Sequence, residues 1–169
     1  VFDLRFEGII VFDTGDGMLR NELASHLFCD EASKEWRGWT VGFSAYGNDA
    51  QGAQKAVLAV SSTRDPRKGY SIMRAKPVGL PPGMHEDPHG IYDAEAGKWR
   101  MLLAEHAGKF RASMWESDAW DHGYKRISGP VEMDSTGTSI TRVGSKRYAM
   151  FGSSDRKVYE IGRASCRER

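Results

Sequence analysis

The sequence predicts an all-β fold, and two observations carry that prediction. Short apolar and aromatic stretches recur along the chain, separated by turn residues that include many of its 19 glycines. A sustained 3.6-residue apolar period, the sign of an amphipathic helix, is missing. The best helical candidate, residues 30–36, is a short polar stretch between strand-like segments, and we interpret it as a turn.

The two ends of the chain set the limits of the predicted domain. Residues 1–159 are expected to form it, and the chain opens directly into the strand-like segment 2–12 with no initiator methionine, so we expect part of the protein to be missing there. Residues 160–169 resemble the in-frame translation of a sequencing adapter. They are predicted to be an artefactual or disordered tail and are left out of fold reasoning.

The charge of the chain argues against two classes of partner. Without the three arginines and two glutamates of residues 160–169, basic and acidic residues are equal in number. A balanced chain has no electrostatic footprint for nucleic acid or for an anionic membrane surface. No apolar run approaches the roughly 20 residues that span a bilayer. The sequence therefore predicts neither a nucleic-acid partner nor a membrane partner.

Three segments repeat one strand–turn–strand pattern. The segments are 22–44, 86–104 and 136–153. When Trp39, Trp99 and Tyr148 are placed in register, they stand 60 and 49 residues apart. Such spacing is typical of β-propeller blades, so each segment is predicted to be the inner hairpin of a blade.

The outer strands of the first two blades follow in the expected order. They are predicted at 56–61, 69–73, 110–115 and 124–127. A propeller closes with about four to eight blades of four strands each. The predicted fold is therefore a partial β-propeller of about three blades, and an ordinary β-sandwich with similar hairpins is the alternative.

A histidine motif at the start of the second repeat has two interpretations. His85-Glu86-Asp87-Pro88-His89 matches H-E-x-x-H, the pattern of zinc metalloproteases. That chemistry needs a continuous helix, so that both histidines reach one metal. Pro88 has no N–H to donate and disfavours a helical conformation at Asp87, so the motif is predicted to open an inner strand instead.

The same stretch resembles a known family. Asp87-Pro88, followed by 91–93 and a turn at 97–99, is similar to the Asp-Pro blade motif of family 43 glycoside hydrolases and their relatives, and the resemblance covers residues 20–159. It implies a five-bladed propeller that hydrolyses O-glycosidic bonds of a poly- or oligosaccharide. It also implies a secreted or periplasmic protein without a cofactor, apart from a calcium ion that the family can hold at the axis.

The resemblance assigns the candidate catalytic residues. Members bring three carboxylates to a central pocket, because the reaction needs flanking carboxyl groups in different protonation states. Asp87 matches this pattern best, and Glu22 is the second catalytic candidate. Where the third repeat would show a glutamate it has Thr136, which cannot act as a carboxylic acid. The triad is therefore incomplete in this sequence, which favours the alternative of a non-catalytic propeller that binds carbohydrate or a protein.

Several further residues are candidates for contact with the sugar. The predicted substrate-binding residues are His26, Glu86, His89, Trp120, Asp134 and Thr136. Trp120 is expected to be exposed in the turn at 118–123, whereas His26 and His89 have a structural role as their alternative. The other tryptophans are predicted to pack between blades; they are Trp36, Trp39, Trp99 and Trp115.

Overall fold

A computed structural model describes most of the chain. The described residues are 8–13, 19–20, 25–41, 57–63, 69–81, 85–106, 108–133, 137–143, 146–151, 158–161 and 166–168. Every regular element among them is a β-strand, and these strands form three sheets. Within these ranges there is no helix long and apolar enough to cross a membrane.

The first sheet contains six strands in the order β2-β1-β6-β5-β4-β3. They are β1 (Gly8–Asp13), β2 (Leu19–Arg20), β3 (Ser25–Asp30), β4 (Glu35–Val41), β5 (Val57–Thr63) and β6 (Gly69–Pro77). Strands β3 to β6 form an antiparallel meander. Strand β1 extends it by pairing in parallel with β6.

The second and third sheets are four-stranded. The second consists of β7 (His85–Asp93), β8 (Lys98–His106), β9 (Phe110–Ser117) and β10 (Lys125–Met133). The third consists of β11 (Thr138–Val143), β12 (Lys146–Phe151), β13 (Val158–Ile161) and β14 (Cys166–Glu168). Strands β3 to β6 of the first sheet, and all four strands of each of the other two, follow chain order, so the three sheets are successive propeller blades whose inner strands are β3, β7 and β11. The prediction of a partial propeller is confirmed.

The last strand lies in the segment that resembles an adapter. Strand β14 falls within residues 160–169 and pairs antiparallel with β13. The artefactual origin of this segment stays a prediction.

The repeat register predicted from the aromatic residues is wrong. In the first two blades the inner hairpin closes on a four-residue turn, which follows Asp30 in one and Asp93 in the other. Counted from these turns, Trp99 is equivalent to Trp36 rather than to Trp39. The two hairpins are therefore 63 residues apart instead of 60.

The aspartates that precede the two turns act in the same way. Each accepts hydrogen bonds of 3.2 Å from backbone N–H groups of its own turn, which is how an Asp side chain stabilises a tight turn. Each also pairs with the arginine that follows the equivalent tryptophan: Arg37 lies 3.0 Å from Asp30, and Arg100 lies 3.1 Å from Asp93. Tyr148 takes the position of this arginine in the third blade, opposite Thr141.

An aromatic cluster joins the first blade to the second. It consists of Phe28, Trp39, Trp99 and Trp120. The Trp39 ring is fully buried, with its centroid 4.8 Å from that of Phe28 and 5.9 Å from that of Trp99. Strand β7 approaches so closely that a Cβ at Gly90 would lie 2.8 Å from the Trp39 ring. The prediction that Trp39 and Trp99 pack between blades is confirmed.

A second apolar cluster lies between the second and third blades. Its buried members are Leu102, Ala104, Ala112, Met114, Met133 and Ile140. Both interfaces are thus closed by side chains that alternate along the strands, as expected for sheets buried on both faces.

Candidate functional site

The histidine motif opens the inner strand of the second blade, as predicted. Residues His85 to His89 belong to β7, which pairs antiparallel with β8. A strand cannot place two histidines one helical turn apart, so the zinc-protease interpretation is wrong for this segment. Among the described residues, no group of three or more His, Cys, Asp or Glu side chains is arranged to hold a metal ion.

Asp87 lies in a β-bulge of this strand. The register with β8 shifts between Glu86 and His89. Asp87 itself has a φ of 49°, in the left-handed region that non-glycine residues seldom adopt. Bulges re-aim side chains and are common beside active sites. A left-handed residue carries strain of about 1–3 kcal/mol, which the surrounding structure must hold in place.

The third blade helps to hold this bulge. The hydroxyl group of Thr138, the first residue of β11, donates a hydrogen bond to the backbone carbonyl of Asp87. Sequence reasoning looked for a carboxylate near this position and missed the role of Thr138. The two threonines on either side of Gly137 were the available signal, because a hydroxyl can satisfy a backbone carbonyl that a bulge leaves outside the ladder.

Of the other predicted residues at this end of the inner strands, the structure describes only Glu86. Glu86 is buried, with 8% of its surface exposed, next to the half-buried Asp87. Glu22, Asp134 and Thr136 lie outside the described residues. The structure therefore brings Glu86 and Asp87 to one end of β7 and leaves the other three as predictions.

His26 and His89 link the inner strands of adjacent blades. The two rings stack with centroids 3.9 Å apart and planes 20° apart. His26 Nδ1 accepts a 3.0 Å hydrogen bond from the backbone N–H of Gly90, and His89 Nδ1 accepts a 3.2 Å bond from that of Ile140. A neutral imidazole that accepts at Nδ1 carries its proton on Nε2. Both histidines thus make the structural links that were their alternative, and their contact with a sugar stays a prediction.

The environment of the pair favours the neutral rings. Burial, together with the neighbouring His89 ring, lowers the pKa of His26 to about 4. Burial also lowers the pKa of His89. Protonation would add a hydrogen at Nδ1 and so remove the acceptor on which each link between blades depends.

Acidification is expected to destabilise the fold through His26. The unfolded chain binds this proton near the ordinary pKa of 6.5 and the folded protein only near 4, so the stabilisation is complete above pH 6.5 and is lost as the pH falls through that window. Because the ring is partly open to solvent, we expect a loss of about 1–2 kcal/mol.

Urea unfolding at pH 7 and pH 4.5 measures this loss in the product of the complete gene. His26→Asn keeps an acceptor near the place of Nδ1 but does not titrate, so its stability should change less between the two pH values. His122→Asn is the control, because that side chain is 71% exposed. An unchanged pH dependence in His26→Asn would contradict the prediction.

A cavity of about 890 Å³ lies beside the histidine pair, between the first and second blades. It collects three of the predicted substrate-binding residues, which are His26, His89 and Trp120. Its aromatic wall is completed by Phe28, Tyr92 and Trp99, and its charged residues are Asp30, Glu31, Arg37 and Asp118. Neither Glu86 nor Asp87 lines it. The predicted site residues therefore divide into two groups.

The expectation that Trp120 is exposed is wrong. The side chain is half-buried and packs against the aromatic cluster, and its backbone carbonyl accepts hydrogen bonds from Trp39 Nε1 (2.9 Å) and the Tyr124 hydroxyl (2.8 Å). The guanidinium of Arg37 lies 5.0 Å from the centroid of the Trp120 ring. This position fits a cation–π contact at the wall of the cavity.

Comparison with known proteins finds its matches among solved structures. The sequence matches no protein-family model and no curated protein. A GH43 β-1,3-galactosidase bound to galactodeoxynojirimycin superposes with a TM-score of 0.65 at 15% identity, over 94% of this chain and 64% of its own. An exo-β-1,3-galactanase from Clostridium thermocellum gives a TM-score of 0.67 at 12% identity, over 95% and 39%.

A third structure, a xylan β-1,4-xylosidase from Bacillus halodurans C-125, gives a TM-score of 0.50 at 11% identity, over 85% of this chain and 28% of its own. The chain thus spans less than two thirds of the length of each of these proteins. At identities this low, the superpositions establish the fold alone. That fold agrees with the three blades and with the inner strand that contains Asp87-Pro88. The chain is part of a β-propeller of the kind found in family 43 glycoside hydrolases.

Proposed function

We propose that this chain belongs to a glycoside hydrolase in which Asp87 is a carboxylate of the catalytic pocket. The observation that carries the proposal is the conformation of Asp87, a left-handed residue in a bulge of an inner strand. An undistorted strand would avoid this strain, so a function that needs the re-aimed carboxylate explains it. The solved propellers with this fold are glycosidases by name.

The surroundings of Asp87 suit one half of a carboxylate pair. Glycoside hydrolysis needs one carboxyl group that donates a proton and one that stays ionised. Asp87 is half-buried and keeps contact with water, which suits the ionised base or charge-stabilising role. Glu22 remains the proposed second catalytic group. Glu86, Asp134 and Thr136 remain proposed sugar contacts.

The similar structures suggest which substrates to test first. Two of them are named for β-1,3-galactosyl linkages and one for β-1,4-xylosyl linkages. We therefore propose a poly- or oligosaccharide substrate, with β-1,3-galactans as the first choice and xylo-oligosaccharides as the second.

Hydrolysis assays on the product of the complete gene test the proposal. We expect Asp87→Asn to lower kcat by about 10²–10⁴-fold on whichever glycan is cleaved, because the amide cannot accept a proton or carry charge. Glu132→Gln is the control, since that side chain is 59% exposed on strand β10 and does not line the cavity, and it should keep full activity. An Asp87→Asn variant that is folded and fully active would overturn the assignment.

A second function, a non-catalytic propeller that binds carbohydrate or a protein, is favoured by one observation. Thr138, the first residue of β11, bonds the backbone carbonyl of Asp87 through its hydroxyl, and the family pattern leads one to expect a carboxylate close by, where the sequence has Thr136. Binding of glycans without cleavage by the complete protein would support this second function. The same assay panel therefore separates the two.

A further inference from the structure

The cavity begins two residues beyond Asp87 and extends away from it along β7. Asp87 is the third residue of β7, whereas His89 and Tyr92, which line the cavity, are the fifth and the eighth. At about 3.3 Å per residue, roughly 15 Å separate Asp87 from Tyr92. From the first blade, the cavity takes Asp30 at the end of β3 and Glu31 in the turn beyond it. A ligand that stacks on Tyr92 therefore binds at the end of the cavity remote from Asp87, which is not a lining residue.

The cavity offers an aromatic face to a ligand. Tyr92 is 53% exposed, and Ile127 is the other exposed large hydrophobic side chain in the described part of the chain. The Tyr92 ring packs against that of Trp99, with centroids 5.2 Å apart, and both residues line the cavity. An exposed ring beside a half-buried one suits a flat ligand with an apolar face and a polar edge, as a pyranose has.

The histidine pair supplies hydrogen-bond donors to the same space. Both Nδ1 atoms are occupied by backbone N–H groups of the following blade. Each neutral ring therefore presents its Nε2–H on its other side, and both residues line the cavity. Two donors on rings stacked 3.9 Å apart suit a pair of neighbouring hydroxyl oxygens.

The charges around the cavity select against an anion. Three carboxylates line it, from Asp30, Glu31 and Asp118, against one guanidinium from Arg37. That guanidinium is already paired with Asp30 at 3.0 Å and lies 3.8 Å from Glu35. Glu31 and Asp118 are in turn paired with Lys34 and Lys98. The described lining therefore has no unpaired cation for an anionic sugar, whereas the hydroxyl groups of a neutral sugar can donate to the carboxylates.

We infer that the cavity between the first and second blades is a second carbohydrate site, which binds a neutral saccharide without cleaving it. Its parts are the Tyr92 and Trp99 rings, the Nε2–H groups of His26 and His89, and the carboxylate of Asp118. The inference rests on the cavity alone and holds whether or not Asp87 is catalytic.

Binding is best measured on the product of the complete gene in an Asp87→Asn background, so that hydrolysis does not consume the probe. The probes are lactose, maltose and xylobiose, with digalacturonic acid as the anionic comparison. Calorimetry gives the affinity, and tryptophan fluorescence reports on the cavity through Trp99 and Trp120. We expect saturable binding of at least one neutral disaccharide and none of digalacturonic acid.

Substitutions at Tyr92 distinguish this cavity from any other sugar site on the protein. Tyr92→Ala should weaken the fluorescence-detected binding about tenfold, and Tyr92→Phe should retain it. Ile127→Ala is the matched control, because Ile127 is 44% exposed and does not line the cavity. Equal affinity in the Tyr92→Ala and Ile127→Ala proteins, or no saturable response to the three neutral disaccharides, would overturn the inference. If Asp87→Asn abolishes hydrolysis and binding still depends on Tyr92, the first result supports the catalytic role of Asp87 and the second supports the separate site in the cavity.

Discussion

Replacing Trp39 with alanine is expected to lower the free energy of unfolding by about 4 kcal/mol. The side chain is fully buried, and its ring contacts Phe28, Trp99 and Trp120 at the junction of two blades. Its Nε1 also donates to the Trp120 carbonyl at 2.9 Å. The ring fills the space up to Gly90 of the neighbouring blade, so its removal leaves a cavity at the junction.

Urea unfolding of the product of the complete gene measures this effect. Trp36→Ala is the matched control, because Trp36 lies on the same strand but is only half-buried, and we expect it to cost less than about 2 kcal/mol. Similar losses for the two variants would show that the junction between the blades does not depend on Trp39.

Replacing Asp93 with alanine is expected to lower the free energy of unfolding by about 3 kcal/mol, because it breaks a buried ion pair. Its side chain is only 2% exposed and lies 3.1 Å from Arg100, which also contacts Glu116 at 3.0 Å. The same carboxylate accepts two backbone N–H groups of its turn. The variant therefore leaves a largely buried guanidinium short of a partner and the turn without its acceptor.

The internal repeat provides a control for this prediction. Asp30→Ala removes the equivalent carboxylate of the first blade, where the side chains of Asp30 and Arg37 are both 19% exposed. Water can replace the lost partner there, so we expect a cost of about 1 kcal/mol. Asp93→Asn should lie between the two, since the amide oxygen still caps the turn. Equal costs at positions 30 and 93 in urea unfolding would contradict the role of burial.

The strands and their grouping into blades could be predicted from the sequence because they depend on local patterns. Apolar alternation and turn residues located β1 and β3 to β12, and Pro88 excluded a helix over the histidine motif. The repeat register was misplaced by three residues because aromatic residues were aligned with one another. The turns at Asp30 and Asp93 define it, since loop geometry fixes hairpin register.

The site was less predictable because its features depend on contacts between blades. The acceptor role of His26 needs a backbone N–H 64 residues away, at Gly90. The conformation of Asp87 depends on a bulge and on Thr138 of the next blade. Local sequence could name His26 and Asp87 as candidates. Local sequence could not show that His26 links the inner strands of two blades, or that a bulge changes the direction of the Asp87 side chain.

The histidine links have a direction along the chain. In each one the side-chain acceptor belongs to the earlier blade, at His26 or His89, and the backbone donor to the later blade, at Gly90 or Ile140. His89 immediately precedes the first donor, Gly90, so one short segment of β7 both donates to the blade before it and accepts from the blade after it. On a ribosome, each emerging blade would find its docking point already built by the blade synthesised before it.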